Sequence, residues 1–227
     1  MFSAFDQIFT VANMQYLLRG ALISLGIAAV SLLIGLIFGI IGASCKISKH
    51  AFLRAIGNFY VEVIRGTPML LQIMIIFNVI PIIVTSFTGQ AFRMNYYVIG
   101  IVAMSINSGA YTTELIRSGI NGVDKGQWEA CETLGLTHWQ TMRLVVLPQA
   151  FKRIVPPVVS EFITLIKDSS LISTIGAIEL MNSAKVLGAT YYEYMSPYCL
   201  AAVFYLAMTL TISMFAKKLE GKLAESD

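Results

Sequence analysis

The sequence predicts an all-α integral membrane protein: five transmembrane helices, N-out and C-in, with short helices on the cytoplasmic side. Three observations predict it. Of the 227 residues, 56% are hydrophobic and 13% charged, about half the roughly 25% charge of a soluble domain. The apolar residues come in runs long enough for a bilayer core, which takes ~20 residues of helix. The basic residues cluster between those runs, where the positive-inside rule reads them as cytoplasmic loops. A net charge of +3 distributed in this way fits a membrane and its lipid better than a nucleic-acid surface.

Gly20–Cys45 is uncharged throughout and forms the first span. Gly66–Phe92 is the second; Pro68 suits a first helical turn, and Pro81 is expected to kink or end the helix. Met94–Thr113 is the third, with Asn107, Ser108, Tyr111 and Thr112 near its end. Ile154–Ile166 is too short to cross alone and contains Pro156-Pro157 and Glu161. It meets Lys167-Asp168-Ser169-Ser170 before a second apolar piece, Leu171–Leu180, so the two pieces read as one interrupted span. Tyr194–Ala216 is the last.

Twelve of the 16 Lys and Arg residues fall on one side of this arrangement. Lys46, Lys49, Arg54 and Arg65 follow the first span; Arg117, Lys125, Arg143, Lys152 and Arg153 separate the third and fourth; Lys217, Lys218 and Lys222 follow the fifth. The segment 114–153 and the C-terminus are therefore read as cytoplasmic. The N-terminal residues lack a basic region ahead of the apolar run and are expected to be retained. No internal repeat or low-complexity linker is visible, so residues 1–227 read as one membrane domain. Cys45, Cys131 and Cys199 lie far apart with no C-x-x-C spacing, which suggests neither a disulfide framework nor a metal site.

The segment from about 124 to 150 is polar but organised. Asp124 with Gln127 approaches a capping box, opening a helix from Lys125 to Leu134 that places Trp128, Cys131 and Leu134 on one face. Gly135 suits a left-handed cap. Thr137 with Gln140 opens a second helix to about Val146, after which Leu147-Pro148 bends the chain back to the membrane. Such an element either rests on lipid headgroups or docks on a protein. Glu129 and Glu132 beside small Ala130 and Gly135 favour docking, since carboxylates suit an anionic leaflet poorly.

These residues carry a resemblance. Glu129-Ala130-Cys131, Gly135 and Val145-Val146-Leu147-Pro148 resemble the E-A-A-x-x-x-G-x(9)-I-x-L-P loop of ABC-importer permeases, with Cys131 for the second Ala and Val145 for Ile. Glu62-Val63-Ile64-Arg65-Gly66-Thr67-Pro68, Tyr111-Thr112-Thr113-Glu114 and Lys167-Asp168-Ser169-Ser170-Leu171 are similar, in order, to segments of the polar amino-acid permeases of histidine/glutamine-type uptake systems. The resemblance implies a type I importer permease of the bacterial plasma membrane. It also implies a second permease subunit (identical or related), an extracytoplasmic amino-acid-binding protein and a separate ATPase that holds ATP and Mg. This chain has no G-x-x-x-x-G-K-[ST] loop and is expected to bind no cofactor and catalyse no reaction. Glu129, Ala130, Cys131, Gly135, Leu147 and Pro148 would form the coupling element, with Glu129 making the polar contact. Trp128 and Trp139 either anchor it to the membrane or sit at the interface.

Ionisable residues inside a membrane segment, and broken helices, mark transporter sites. Lys167 and Asp168 at the break could meet the carboxylate and ammonium of an amino acid, or neutralise each other. Ser169 and Ser170 could add donors, with Glu161, Asn107 and Tyr111 as further candidates. If Glu161 or Glu114 reaches the ligand side chain, a cationic amino acid is favoured. Gly26, Ala28, Ala29, Gly35 and Gly39 are expected to let helices pack closely. A self-contained secondary transporter or channel would also use a broken helix. A membrane-embedded enzyme would need a motif such as H-E-x-x-H or G-x-S-x-G, and neither occurs.

Overall fold

The structure, a computed structural model, describes residues 7–224. Residues 1–6, part of the segment expected to be retained, and residues 225–227 lie outside the described residues. The described residues contain helices and turns and no strand. In chain order the helices are α1 (Val11–Lys46), α2 (Ala51–Arg65), α3 (Met69–Thr88), α4 (Tyr96–Asn121), α5 (Lys125–Thr133), α6 (His138–Thr141), α7 (Leu147–Asp168), α8 (Leu180–Tyr191) and α9 (Met195–Ala224). A π turn at Met142–Val146 joins α6 to α7, and a 3-10 segment at Ser169–Ile175 follows α7.

Three helices, α1, α3 and α9, are long and apolar enough to cross a membrane. Their outer faces carry large apolar side chains, such as Leu33 and Ile40 on α1, Ile82 and Phe87 on α3, and Val203 and Phe215 on α9. A surface apolar over several helices is costly in water and natural in lipid.

Inside, Ile27 and Ala28 of α1, Ile73 of α3, Ile99, Ala103 and Met104 of α4, and Leu165 and Ile166 of α7 form one core, closed below by Ile172 and Ile175. The tightest seam joins α1 to α4. Gly35, Gly39 and Gly42 face Ser108, Thr112 and Thr113, so closely that a Cβ at any of the three would strike the facing side chain. Thr112 Oγ1 donates to the Gly35 carbonyl at 3.0 Å, a bond that the missing glycine side chain makes possible. Gly26, expected at such a seam, meets nothing within 4 Å and faces outward.

Pro81 does not end its helix, and the turn expected at Leu147-Pro148 changes. α3 continues past Pro81 to Thr88 and ends at Gly89, whose φ of 69° is the left-handed cap glycine tolerates. The chain also does not turn back at Leu147-Pro148: helix, π turn and helix run on from His138 to Asp168. In the π turn the Leu147 N–H reaches the Met142 carbonyl. This wider register just ahead of Pro148 relieves the clash a proline ring makes with the carbonyl four residues back.

The stretch after the first span that carries Lys46, Lys49, Arg54 and Arg65 holds a helix, α2, which the pattern of long apolar runs does not predict. Its exposed Phe52, Ile56, Phe59 and Val63 recur at helical spacing, while Gly57 and Val61 face the bundle. Tyr60 Oη donates to the Ile106 carbonyl at 2.6 Å and pins α2 to α4.

Candidate functional site

Two helix breaks meet in one place. α2 stops at Arg65, where Gly66 N–H still bonds the Glu62 carbonyl (2.9 Å) and Pro68, which has no N–H, starts α3. α7 stops at Asp168. Between them lies a cavity of about 530 Å³ lined by Arg65, Gly66, Thr67, Pro68, Met69, Asn107, Tyr111, Glu161, Thr164 and Asp168.

Its walls are fixed by hydrogen bonds. Gln72 Nε2 donates to the Ile64 carbonyl at 2.7 Å and to Thr67 Oγ1 at 2.8 Å, holding the first break. Asn107 Nδ2 donates to Gln72 Oε1 at 3.0 Å, tying α4 to it. The Arg65 guanidinium sits over the Tyr111 ring, 5.0 Å from its centroid, a cation–π contact that leaves its planar edge for a carboxylate. Glu161 and Asp168, two turns apart on α7, lie on the same wall.

Of the residues expected at a substrate site, Glu161, Asp168, Asn107 and Tyr111 are brought together here. Lys167 and Ser170 are not: they line a separate cavity of about 440 Å³ with Met181, Tyr205 and Thr209. Lys167 and Asp168 are neighbours on a helix and so point about 100° apart, into two different cavities. Ser169 is fully buried and donates to the Ile166 carbonyl at 2.7 Å. The second apolar piece expected at Leu171–Leu180 is the 3-10 segment and its turn; the helix beyond the break is α8.

Sequence reasoning missed Arg65, Thr67, Gln72 and Glu179. The Gly-Thr-Pro breaker and a lone Gln in an apolar run were signals for the first three. Glu179 is 0% exposed and caps α8, accepting from Met181 N–H (2.9 Å) and Asn182 N–H (2.8 Å). Ser24 Oγ (3.1 Å) and Tyr205 Oη (2.9 Å) also donate to it, so one carboxylate joins α1, α8 and α9 behind the break.

The polar element folds largely as read. Asp124 caps α5, but through Gly126 N–H at 2.7 Å. The Gln127 side chain does not complete a capping box; its Oε1 accepts from Gln149 Nε2 at 3.1 Å. Gly135, φ 71°, ends the turn, with Leu136 N–H on the Cys131 carbonyl at 3.0 Å. The Thr137–Gln140 capping box is complete. Leu134 leaves the packed face: it stands just past the end of α5, where the helical phase no longer applies, and is 77% exposed.

Cys131 is buried, while Glu129, Ala130, Gly135, Leu147 and Pro148 are exposed. The two tryptophans part company. Trp128 is half-buried, stacks on His138 (5.9 Å) and packs on the cluster of Ile120, Val123, Val146 and Ala150. Trp139 is 68% exposed. That cluster joins the end of α4 to the start of α7, so the polar element grips both helices that line the cavity.

A cavity with charged and polar walls, set between two helix breaks inside a bundle with an apolar exterior, is an arrangement that membrane transport proteins use. The class so defined is a membrane permease. The family model of the binding-protein-dependent transport system inner membrane component matches residues 9–225, and the chain belongs to that family. It is a transport component rather than an enzyme. The chain is 39% identical over 218 residues to the arginine transport system permease protein ArtQ of Bacillus subtilis, covering 96% of this chain and 97% of that one. It is 37% identical over 208 residues to a putative glutamine transport system permease protein GlnP of Rickettsia typhi, covering 92% and 93%. Among solved structures, an amino acid ABC transporter with histidines superposes with a TM-score of 0.86 at 35% identity, covering 93% of this chain and 96% of that one. The MetNI methionine ABC transporter, at 19% identity and a TM-score of 0.78 (95% and 99% covered), shares the fold.

Proposed function

We propose that the chain is the membrane subunit of an ATP-driven amino-acid importer of the bacterial plasma membrane and that its cargo is a cationic amino acid. The single observation that carries the cargo is the composition of the cavity: two carboxylates, Glu161 and Asp168, against one guanidinium, Arg65. Arg65 suits the cargo's carboxylate, and the acidic wall suits its ammonium and a basic side chain. The arginine permease among the relatives is in keeping with this.

In this reading α2 with α3, and α7 with α8, are two interrupted spans, which with α1, α4 and α9 make five, N-out and C-in. The exposed face of Glu129, Ala130 and Gly135, with Leu147 and Pro148, docks on the separate ATPase, and Cys131 supports it from beneath. A second permease, identical or related, completes the path. An extracytoplasmic binding protein delivers the cargo.

Uptake by proteoliposomes carrying the chain with its ATPase and binding protein tests the proposal. ATP-dependent uptake of arginine or lysine in preference to glutamine is expected, with the preference reduced in Glu161→Gln. Transport that needs neither ATP nor a second subunit overturns the assignment; unchanged selectivity in Glu161→Gln overturns the cargo.

A further inference from the structure

A second cavity, of about 490 Å³, adjoins the first and shares Tyr111, Glu161 and Thr164 with it. Its other walls are Leu115 of α4, Pro156, Pro157 and Ser160 of α7, and Glu220 of α9. It leads away from the break at Asp168, toward the crossing of α4 and α7 where Gly119 meets Ile154, and so toward the polar coupling element. Glu161 stands where the two spaces join.

The walls suit passage better than storage. Two adjacent prolines remove two hydrogen bonds from the α7 backbone at this level and present smooth rings to the space. Of the side chains it adds to the shared three, two are polar, Ser160 and Glu220, and Glu220 alone of them is charged. Glu220 lies one turn past Ala216, where α9 leaves its apolar run, with Lys217, Lys218 and Lys222 near it in sequence. Among the described residues none of these lysines pairs with it: the ion pairs there are Lys46–Glu114 and Arg117–Glu114. Its carboxylate is thus available to the cavity.

We infer that the second cavity is the release route and that Glu220 is a selectivity-determining residue on it, the last of three carboxylate positions, after Asp168 and Glu161, met by a departing cationic amino acid. The inference rests on the cargo reading given above. A cation leaving a cavity walled by low-dielectric helices loses its partners unless a further anion meets it, so a carboxylate at the mouth speeds departure. The same position occupied by a positive charge would hold the cargo back.

The test uses the complete complex of chain, ATPase and binding protein in proteoliposomes, with L-arginine as probe and the variants Glu220→Asp, Glu220→Gln and Glu220→Lys. Arginine kcat is expected to follow the charge. Asp stays near wild type, Gln is slower, and Lys is roughly ten-fold slower, the lower end of what focused charge does to the rates of a charged ligand. kcat/KM for the loaded binding protein should stay unchanged, because loading occurs at the other end, and KM falls in step with kcat. Asp as slow as Lys means the carboxylate has only a packing role; equal rates in all four proteins mean the route lies elsewhere. Either result overturns the inference and leaves the cargo reading intact. A wild type that carries no arginine overturns the cargo reading and this inference with it.

Discussion

Lys46 Nζ lies 2.5 Å from Glu114 Oε1, closing the last turn of α1 onto α4. The other oxygen of the same carboxylate accepts from Arg117 at 2.8 Å. The pair stands at the end of the glycine–threonine seam, with both side chains mostly shielded. Glu114→Gln leaves Lys46 shielded and unpaired. The loss of stability should be on the order of 2 kcal/mol, below the roughly 3–5 kcal/mol of a fully buried pair. Replacing both Lys46 and Glu114 by Met should cost less than Glu114→Gln alone. Melting of the detergent-solubilised protein checks both; a double variant worse than the sum of the singles contradicts the pairing.

Gly39 and Gly26 lie on the same helix and should behave oppositely. A Cβ at Gly39 falls on Thr112 Oγ1 and Cβ, and on the backbone beyond, while one at Gly26 meets nothing within 4 Å. Gly39→Ala should destabilise by about 1–3 kcal/mol through overpacking. Gly26→Ala should be neutral or stabilise by up to about 1 kcal/mol, since alanine is the better helix former. Equal melting points for the two variants would show that the α1–α4 seam is looser than described.

Glu179 is the single acceptor for four donors from three helices. Glu179→Ala leaves those donors unmatched in a dry place and should cost at least about 3 kcal/mol. Glu179→Gln keeps one acceptor oxygen and the shape, so it should cost less. The yield and melting temperature of the purified variants should rank wild type, Gln, Ala.

Glu129 is exposed on α5 and is not among the residues that line the cavity. In the coupling reading, Glu129→Lys spares the docking of the binding protein and uncouples transport from ATP hydrolysis. Normal uptake together with normal ATPase association in that variant would remove Glu129 from the coupling role.

How much of this was legible follows from the range of each signal. Capping is local chemistry, so Thr137 with Gln140 and Gly135 were readable directly. The long apolar runs located α1, α3, α4 and α9 for the same reason. The direction of a side chain at a break depends on which helix packs opposite, and no local pattern encodes that. Lys167 and Asp168, adjacent in sequence, went to different cavities, while Arg65 and Glu161, nearly a hundred positions apart, came to one. α2 was hidden because its Arg54 and Arg65 made a helix with a regular apolar stripe look like a basic loop.

The uninterrupted run from His138 to Asp168 has a mechanical meaning. It is gripped near its middle, where Ile154 packs into the notch left by Gly119. At about 1.5 Å per residue, some 24 Å of helix lies on the side of the polar element and some 21 Å on the cavity side. If the outer end docks on the ATPase as proposed, this run is a lever of nearly equal arms, and its points of flexure are the π turn and Pro156-Pro157, where the backbone ladder is broken.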